Sequence, residues 1–323
     1  MKTEVVASFE TPFLTRVELL RQSFLPSQKK KSIPRMAFIT GLHGDELEGL
    51  YVGHKLLNFL REIEEHNPSS LLGEVHVYPA VNPPALNHAS RLWPGHGIDM
   101  NRTFGLPRAT GITAQFSSRL LDDIKAHADI AVDFHASNLH LRELPQVRMI
   151  DEWSSSLTPL AMLTNTDLIW THAMADLFAA TLGYNLNKAK VLTLVMEAGI
   201  CHRVTHQFGD QVFAGLIHLM KETGILDKNI SVPGRLKNPL PVRANQVVSV
   251  SASQPGLFVS DTHLGEFVGE NQQIGNIVDP VRGEVLEEIK ASASGLLFTL
   301  REHPITYAGS LLARIALEKE PPP

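Results

Sequence analysis

Cysteine is nearly absent from this chain of 323 residues. The single Cys201 can close no internal disulfide, so a reducing cytoplasm is the expected compartment. No run of about 18 apolar residues occurs, and no membrane span is expected. The segment from Met1 to Glu10 contains acids and lacks the apolar core of a signal peptide. Positive charge is also short. Lys and Arg number 29 against 34 Asp and Glu, a formal net charge of -5. Nucleic-acid binders usually carry a basic excess or stripe, so nucleic acid is not an expected partner. The one basic run, Lys29-Lys30-Lys31, lies just before Pro34 and reads as a solvated turn.

What is present is an ordinary globular balance, with 43% hydrophobic and 20% charged residues. The length exceeds that at which one hydrophobic core usually keeps growing, so two domains are expected. Fifteen histidines are many for this length and prompt a search for metal-ligand spacing.

Strand and helix patterns alternate through the first two thirds. Glu4 to Ser23 reads as one or two strands, and Met36 to Thr40 as a buried strand that stops at Gly41. Asp45 to Glu65 carries apolar residues at helical spacing. Glu74 to Ala80, Asp129 to Phe134 and Val191 to Met196 are further strands. Thr113 to His127, most of Ser156 to Leu182, and Asp210 to Gly224 read as helices. This alternation predicts an α/β fold with a largely parallel central sheet. Near Ser231 the texture changes. Pro233, Gly234, Pro239 and Pro241 mark a linker, and glycine-punctuated short strands follow at Gln246–Ser251, Gly256–Val259, Glu266–Val268, Gly283–Ala291 and Gly295–Thr299. The expected division is a catalytic domain over 1–232 and a small all-β domain over 233–323.

The sharpest local signal is Gly41-Leu42-His43-Gly44-Asp45-Glu46, an imidazole and a carboxylate three residues apart where a strand gives way to a helix. Functional groups in such sheets gather outside the carboxyl ends of strands. Zinc accepts a mixed nitrogen and oxygen set, with three protein ligands and water in catalytic sites. His135, at the end of the strand that carries Asp133, is the candidate third ligand. Glu197 follows the apolar run Val191 to Met196, where a carboxylate is costly unless paired or used, and is the candidate general base. In Asp99-Met100-Asn101-Arg102, the Asn101–Arg102 pair suits a substrate carboxylate, and Asp99 suits a hydrogen bond that orients a ligand histidine. Arg91 is a candidate to steady an oxyanion.

The ordered set Gly41-x-His43-Gly44-x-Glu46, Asn82-Pro83, Arg91, Asp99-x-Asn101-Arg102, Asp133-x-His135 and Glu197-Ala198-Gly199 resembles the zinc carboxypeptidase superfamily. Within it, the set resembles the succinylglutamate desuccinylase/aspartoacylase branch. The resemblance covers roughly residues 35 to 225 and extends to the β region that follows. It implies a mixed central sheet flanked by helices, with a C-terminal β domain like a biotinyl/lipoyl-type barrel narrowing the entrance. It implies one zinc ion per chain on His43, Glu46 and His135, and Glu197 as general base and then general acid. It also implies Arg91 on the oxyanion, Asn101 and Arg102 on the substrate carboxylate, and Asp99 behind His43. The activity implied is hydrolysis of a small N-acyl amino acid, N-acetyl or N-succinyl, to the free amino acid and a carboxylate.

The turn Asp279-Pro280-Val281-Arg282-Gly283 has no lysine to carry a cofactor, which makes the β domain a lid. His140, Arg142, Glu143, His202, Arg203 and His206 depart from better-known members and are candidates to shape the substrate pocket. Two other functions remain open: a metallocarboxypeptidase or amidase on short peptides or cell-wall fragments, and a non-catalytic metal-dependent binding protein. Manganese or cobalt could replace zinc. A homo-oligomer, most often a symmetric dimer, is the default assembly.

Overall fold

The computed structural model describes residues 1–11, 13, 15–28, 32–106 and 110–317, and the Lys29-Lys30-Lys31 run lies outside them. The chain opens with an antiparallel hairpin, β1 (Lys2–Glu10) and β2 (Arg16–Phe24). It continues through β3 (Met36–Ile39), α1 (Glu48–His66), β4 (Val75–Tyr78), α2 (Pro83–Asn87), α3 (Ile112–His127), β5 (Ile130–His135) and β6 (Leu141–Ile150). Then come α4 (Ser154–Ala161), β7 (Leu168–His172), α5 (Leu182–Lys188), β8 (Leu192–Gly199) and α6 (His206–Glu222). Nine strands follow: β9 (Leu240–Arg243), β10 (Val247–Ser251), β11 (Gly256–Ser260), β12 (Phe267–Val268), β13 (Gln273–Asp279), β14 (Glu284–Lys290), β15 (Gly295–Arg301), β16 (Ile305–Thr306) and β17 (Leu311–Leu317).

The central sheet is mixed. β4, β3, β5 and β8 run parallel, and β2 and β6 join them antiparallel on either side. Every residue of β3, β4 and β5 is buried, as expected for strands covered on both faces. Alternation along the strands divides the core in two. Phe38, Val132 and Phe134 pack with Val52, Leu56 and Leu60 of α1 and Val212 and Leu216 of α6. Ala37, Ile39 and Ala131 pack with Phe116 and Leu120 of α3 and Leu182 and Leu186 of α5. Among the described residues no helix is long and apolar enough to cross a membrane.

Past residue 240 the sheet does not stop. β9 pairs with β7, and β15 pairs with β6, setting Thr299 opposite Glu143. β17 and β10 extend the same sheet, which packs over a second sheet ordered β14-β13-β11-β16. The C-terminal β region is thus stitched edge-on to the α/β layer by backbone hydrogen bonds.

Two expectations about elements need correction. Ser156 to Leu182 is not mostly helical. α4 ends at Ala161, and Leu168-Ile169-Trp170-Thr171-His172 forms β7, parallel to β6. An aromatic and β-branched run prefers the pleated surface when a partner edge is open to it. β6 itself was not anticipated, because Arg142, Glu143, Gln146 and Arg148 interrupt its apolar residues; two of them, Glu143 and Arg148, face the cavity described next.

Candidate metal centre

The loop from β3 to α1 is built for close approach. Gly41 sits at φ +73°, which a side chain would strain. A Cβ on Gly44 would lie 2.0 Å from the backbone carbon and oxygen of Ala85. Asn82, fully buried, caps α2 through Ala85 N and donates from Nδ2 to the Leu42 carbonyl at 3.0 Å. The Asn82-Pro83 motif therefore fixes the loop that presents His43 and Glu46.

His43, Glu46 and His135 converge. Each offers one donor atom, all within 4.8 Å of one another, and all three side chains are buried. Glu46 lies between the rings: Oε1 is 2.7 Å from His43 Nδ1 and Oε2 is 2.9 Å from His135 Nδ1. The far nitrogens face other carboxylates, with Asp99 Oδ1 3.0 Å from His43 Nε2 and Asp133 Oδ2 3.1 Å from His135 Nε2. Each imidazole thus donates Nε2–H to an acid and aims Nδ1 at a shared point, an arrangement that fixes the tautomer of metal-ligating histidines.

The electrostatics agree with a place for a cation. Burial opposes charge on His43, but Glu46 and Asp99 outweigh it and hold the ring above its ordinary value. Burial likewise opposes charge on His135, and Asp133 and Glu46 raise it well above. Burial would raise the Glu46 carboxyl, yet the two rings hold it far below the usual range. Two protons and one carboxylate here satisfy donors that a divalent ion would satisfy instead. The two imidazoles and one carboxylate fit zinc in number and type, leaving a position for water.

Glu197 lines the same cavity, paired in register with His135 across β5 and β8. Burial pushes its carboxyl up to about 7, while Arg148 and His135 pull the other way. Arg148 Nη1 donates to Glu197 Oε1 at 3.3 Å. Arg91 donates to Glu46 Oε1 at 3.0 Å and through Nε to Asp99 Oδ2 at 3.2 Å, and it lines the cavity with its side chain partly exposed. Asn101 and Arg102 also line the cavity. Asn101 Oδ1 accepts from Leu182 N at 2.9 Å, and the Arg102 guanidinium donates to the Asn101 carbonyl at 2.8 Å. All eight residues singled out from sequence thus stand at or directly behind one cavity of about 350 Å³.

Of the further polar set, only Glu143 lines this cavity. His140 packs against His303, Arg142 lies over Phe208, Arg203 pairs with Glu302, and His206 packs on Tyr51. Cys201 is buried and donates to the Ser137 carbonyl; burial raises its thiol far above the ordinary value, so it stays protonated. Arg148 and Arg314 line the cavity and were missed from sequence. Arg148 sits on an unrecognised strand. Arg314 comes from β17, more than a hundred residues after Glu197.

Residues 32–223 match the family model of the succinylglutamate desuccinylase/aspartoacylase catalytic domain. The N-alpha-acetyl-L-2,4-diaminobutyric acid deacetylase of Halomonas elongata is 22% identical over 292 residues, covering 89% of this chain and 83% of that protein. A solved succinylglutamate desuccinylase/aspartoacylase from Rhodobacter sphaeroides superposes with a TM-score of 0.77 at 22% identity, covering 97% of this chain and 94% of that one. The product-bound ectoine utilization protein EutE (DoeB) from Ruegeria pomeroyi gives a TM-score of 0.76 at 18% identity, covering 96% and 93%. At these identities the solved structures establish the fold.

Proposed function

The chain belongs to the succinylglutamate desuccinylase/aspartoacylase family, and on that premise we propose that it is a zinc-dependent deacylase of small N-acyl amino acids. The observation that carries this reading is the convergence of His43 Nδ1, Glu46 and His135 Nδ1 beside Glu197 in one cavity. His43, Glu46 and His135 would hold the metal, which supplies Lewis acidity to water and to the scissile carbonyl. Glu197 accepts the proton of the attacking water and returns it to the departing amine nitrogen. Its carboxyl, raised by burial, is suited to both transfers. Arg91 turns a guanidinium toward the cavity beside Glu46 and steadies the oxyanion. Asn101 and Arg102 hold the substrate carboxylate. Asp99 and Asp133 keep the ligand rings in one tautomer. The products are a free amino acid and a carboxylate.

The test is a screen of N-acetyl and N-succinyl amino acids on zinc-loaded protein, read by amine release. Release from at least one class, abolished by chelation, is expected. Release from dipeptides alone would favour a carboxypeptidase, and zinc binding without hydrolysis of any amide would favour a binding protein.

A further inference from the structure

The cavity continues well past Glu197. β8 carries its floor back from the metal end. Alternation along the strand turns Leu192, Leu194 and Met196 into the core under α1 and α6, and turns Thr193, Val195 and Glu197 toward the cavity. Thr193 lies about 13 Å from Glu197 along the strand. β6 runs antiparallel beside it, setting Arg148 opposite Val195 and carrying Ile150 on toward the Thr193 end. α5 closes the other side so tightly that a Cβ on Gly183 would lie 2.6 Å from Val195 Cγ2.

Polarity changes along this length. Past Glu197 the walls present Ile150, Trp153, Leu177, Phe178, Tyr184 and Val195. Trp153 and Tyr184 meet edge to face with ring centres 5.2 Å apart. The polar atoms among them are already engaged. Thr193 Oγ1 donates to the Val191 carbonyl at 2.9 Å, and Thr181 Oγ1 donates to the Phe178 carbonyl at 2.8 Å. Asn187 Nδ2 donates to the Gly183 and Thr193 carbonyls, and its Oδ1 accepts from Thr193 N. Arg148 turns its charge back to Glu143 and Glu197, and Arg314 also bonds to Glu143. His172 Nε2 is buried without a partner, but burial and these two arginines push the ring down to about 4, so it is neutral near pH 7. It can meet one neutral polar atom.

A charged group placed in this stretch would give up its water and gain no free counter-ion. An apolar group would gain about fourfold in affinity for each methylene buried.

We propose that the far end of the cavity is a specificity pocket for a large uncharged group, aliphatic or aromatic, carried on the substrate's acyl chain or on its amino-acid side chain. The inference rests on the deacylase reading and narrows it. Asn101 and Arg102 hold the substrate carboxylate, and Asn101 accepts from Leu182 N at the start of α5, so one helix borders both subsites. The favoured substrates are N-acyl derivatives of leucine- or phenylalanine-like amino acids, or amides with longer acyl chains. Aspartate, glutamate and diaminobutyrate side chains bring a charge that this end does not meet; the substrate named for the Halomonas relative is of that kind. Ile150, Trp153 and Val195 are the specificity-determining residues.

The experiment measures binding of two probe sets by calorimetry on zinc-loaded protein: hexanoate, succinate and acetate for the acyl side, and L-phenylalanine, L-glutamate and L-alanine for the amine side. Wild type is compared with Ile150→Asp and Ile150→Ala, with thermal unfolding and zinc content checking that each variant is folded. In at least one set the large apolar member is expected to bind about ten- to hundredfold tighter than the other two. The responding set tells which part of the substrate enters the pocket. Ile150→Asp should erase that preference and leave acetate and alanine binding unchanged. Ile150→Ala, the milder change should the first variant fail to fold, should lower it about three- to tenfold. Equal binding within both sets, tightest binding of the charged member in both, or a preference untouched by these variants would overturn the pocket. Hydrolysis of the N-acyl panel is read separately. A chain that cleaves amides but shows no apolar preference loses this inference and keeps the deacylase reading; one that binds the apolar probes as described but cleaves nothing loses the deacylase reading and keeps the pocket.

Discussion

A carboxyl buried beside two acids and two cationic groups must be tuned by their balance, and Glu197 is so placed. Replacing Glu197 with Gln keeps the shape and removes the proton acceptor. Zinc content should stay at about one per chain while turnover falls about a hundredfold or more. Near-wild-type turnover would remove Glu197 from the base role. Because burial holds its carboxyl up to about 7, Glu197 loses its proton only as pH approaches neutrality. A bound cation favours the ionised form. The acid limb of kcat/KM should therefore have its midpoint below about 7, rate falling as pH drops through it. A profile flat down to pH ~4 would show that no such acid is in use. Arg91→Ala removes one oxyanion donor and should lower kcat about a hundredfold with KM little changed. A pure KM effect would instead make Arg91 a binding group.

At the scale of elements, the site exists because three strand ends and one tight loop share an edge of the sheet. Gly44 packs its backbone on Ala85 with no room for a methyl group. Gly44→Ala should cost about 1–3 kcal/mol of stability and weaken zinc retention, measured by thermal unfolding and metal analysis. A variant as stable and as zinc-rich as wild type would show that this approach is unimportant. The strands that carry His43, His135 and Glu197 were legible in sequence because each is a short apolar run ending at a polar residue. β6 was not, since its cavity-facing side is charged and its period-two pattern is broken. β17 was not, since Leu311-Leu312-Ala313-Arg314 is composed of good helix formers, and pairing with β15 and β10 overrides that preference. These two strands supply Arg148 and Arg314. The convergence of His43, Glu46 and His135 was readable from local motifs, whereas the walls of the cavity depend on pairings between distant segments.

For the whole molecule, a bound metal would compete with protons for one set of donors. In the metal-free protein His43 and His135 are held above their ordinary values, and burial raises Glu48 and Glu197 to about 7. All four bind protons more tightly folded than unfolded. Their contribution to stability is present at low pH and is lost as pH rises through the folded values. The melting temperature of chelator-treated protein should fall between pH ~6 and ~8, and the increment gained on adding zinc should grow over the same range. An increment independent of pH would mean that zinc displaces no protons from these rings. The sheet shared by the α/β layer and the C-terminal strands predicts that both regions unfold together.

The central claim is that one divalent ion sits on three side chains from separate parts of the chain. Anomalous diffraction at the zinc edge from zinc-loaded crystals tests it most directly. The account predicts one strong peak per chain, bonded to His43 Nδ1, Glu46 and His135 Nδ1, with zinc–nitrogen distances of about 2.0–2.1 Å. A peak elsewhere, or none at a zinc excess that saturates the protein, would contradict it.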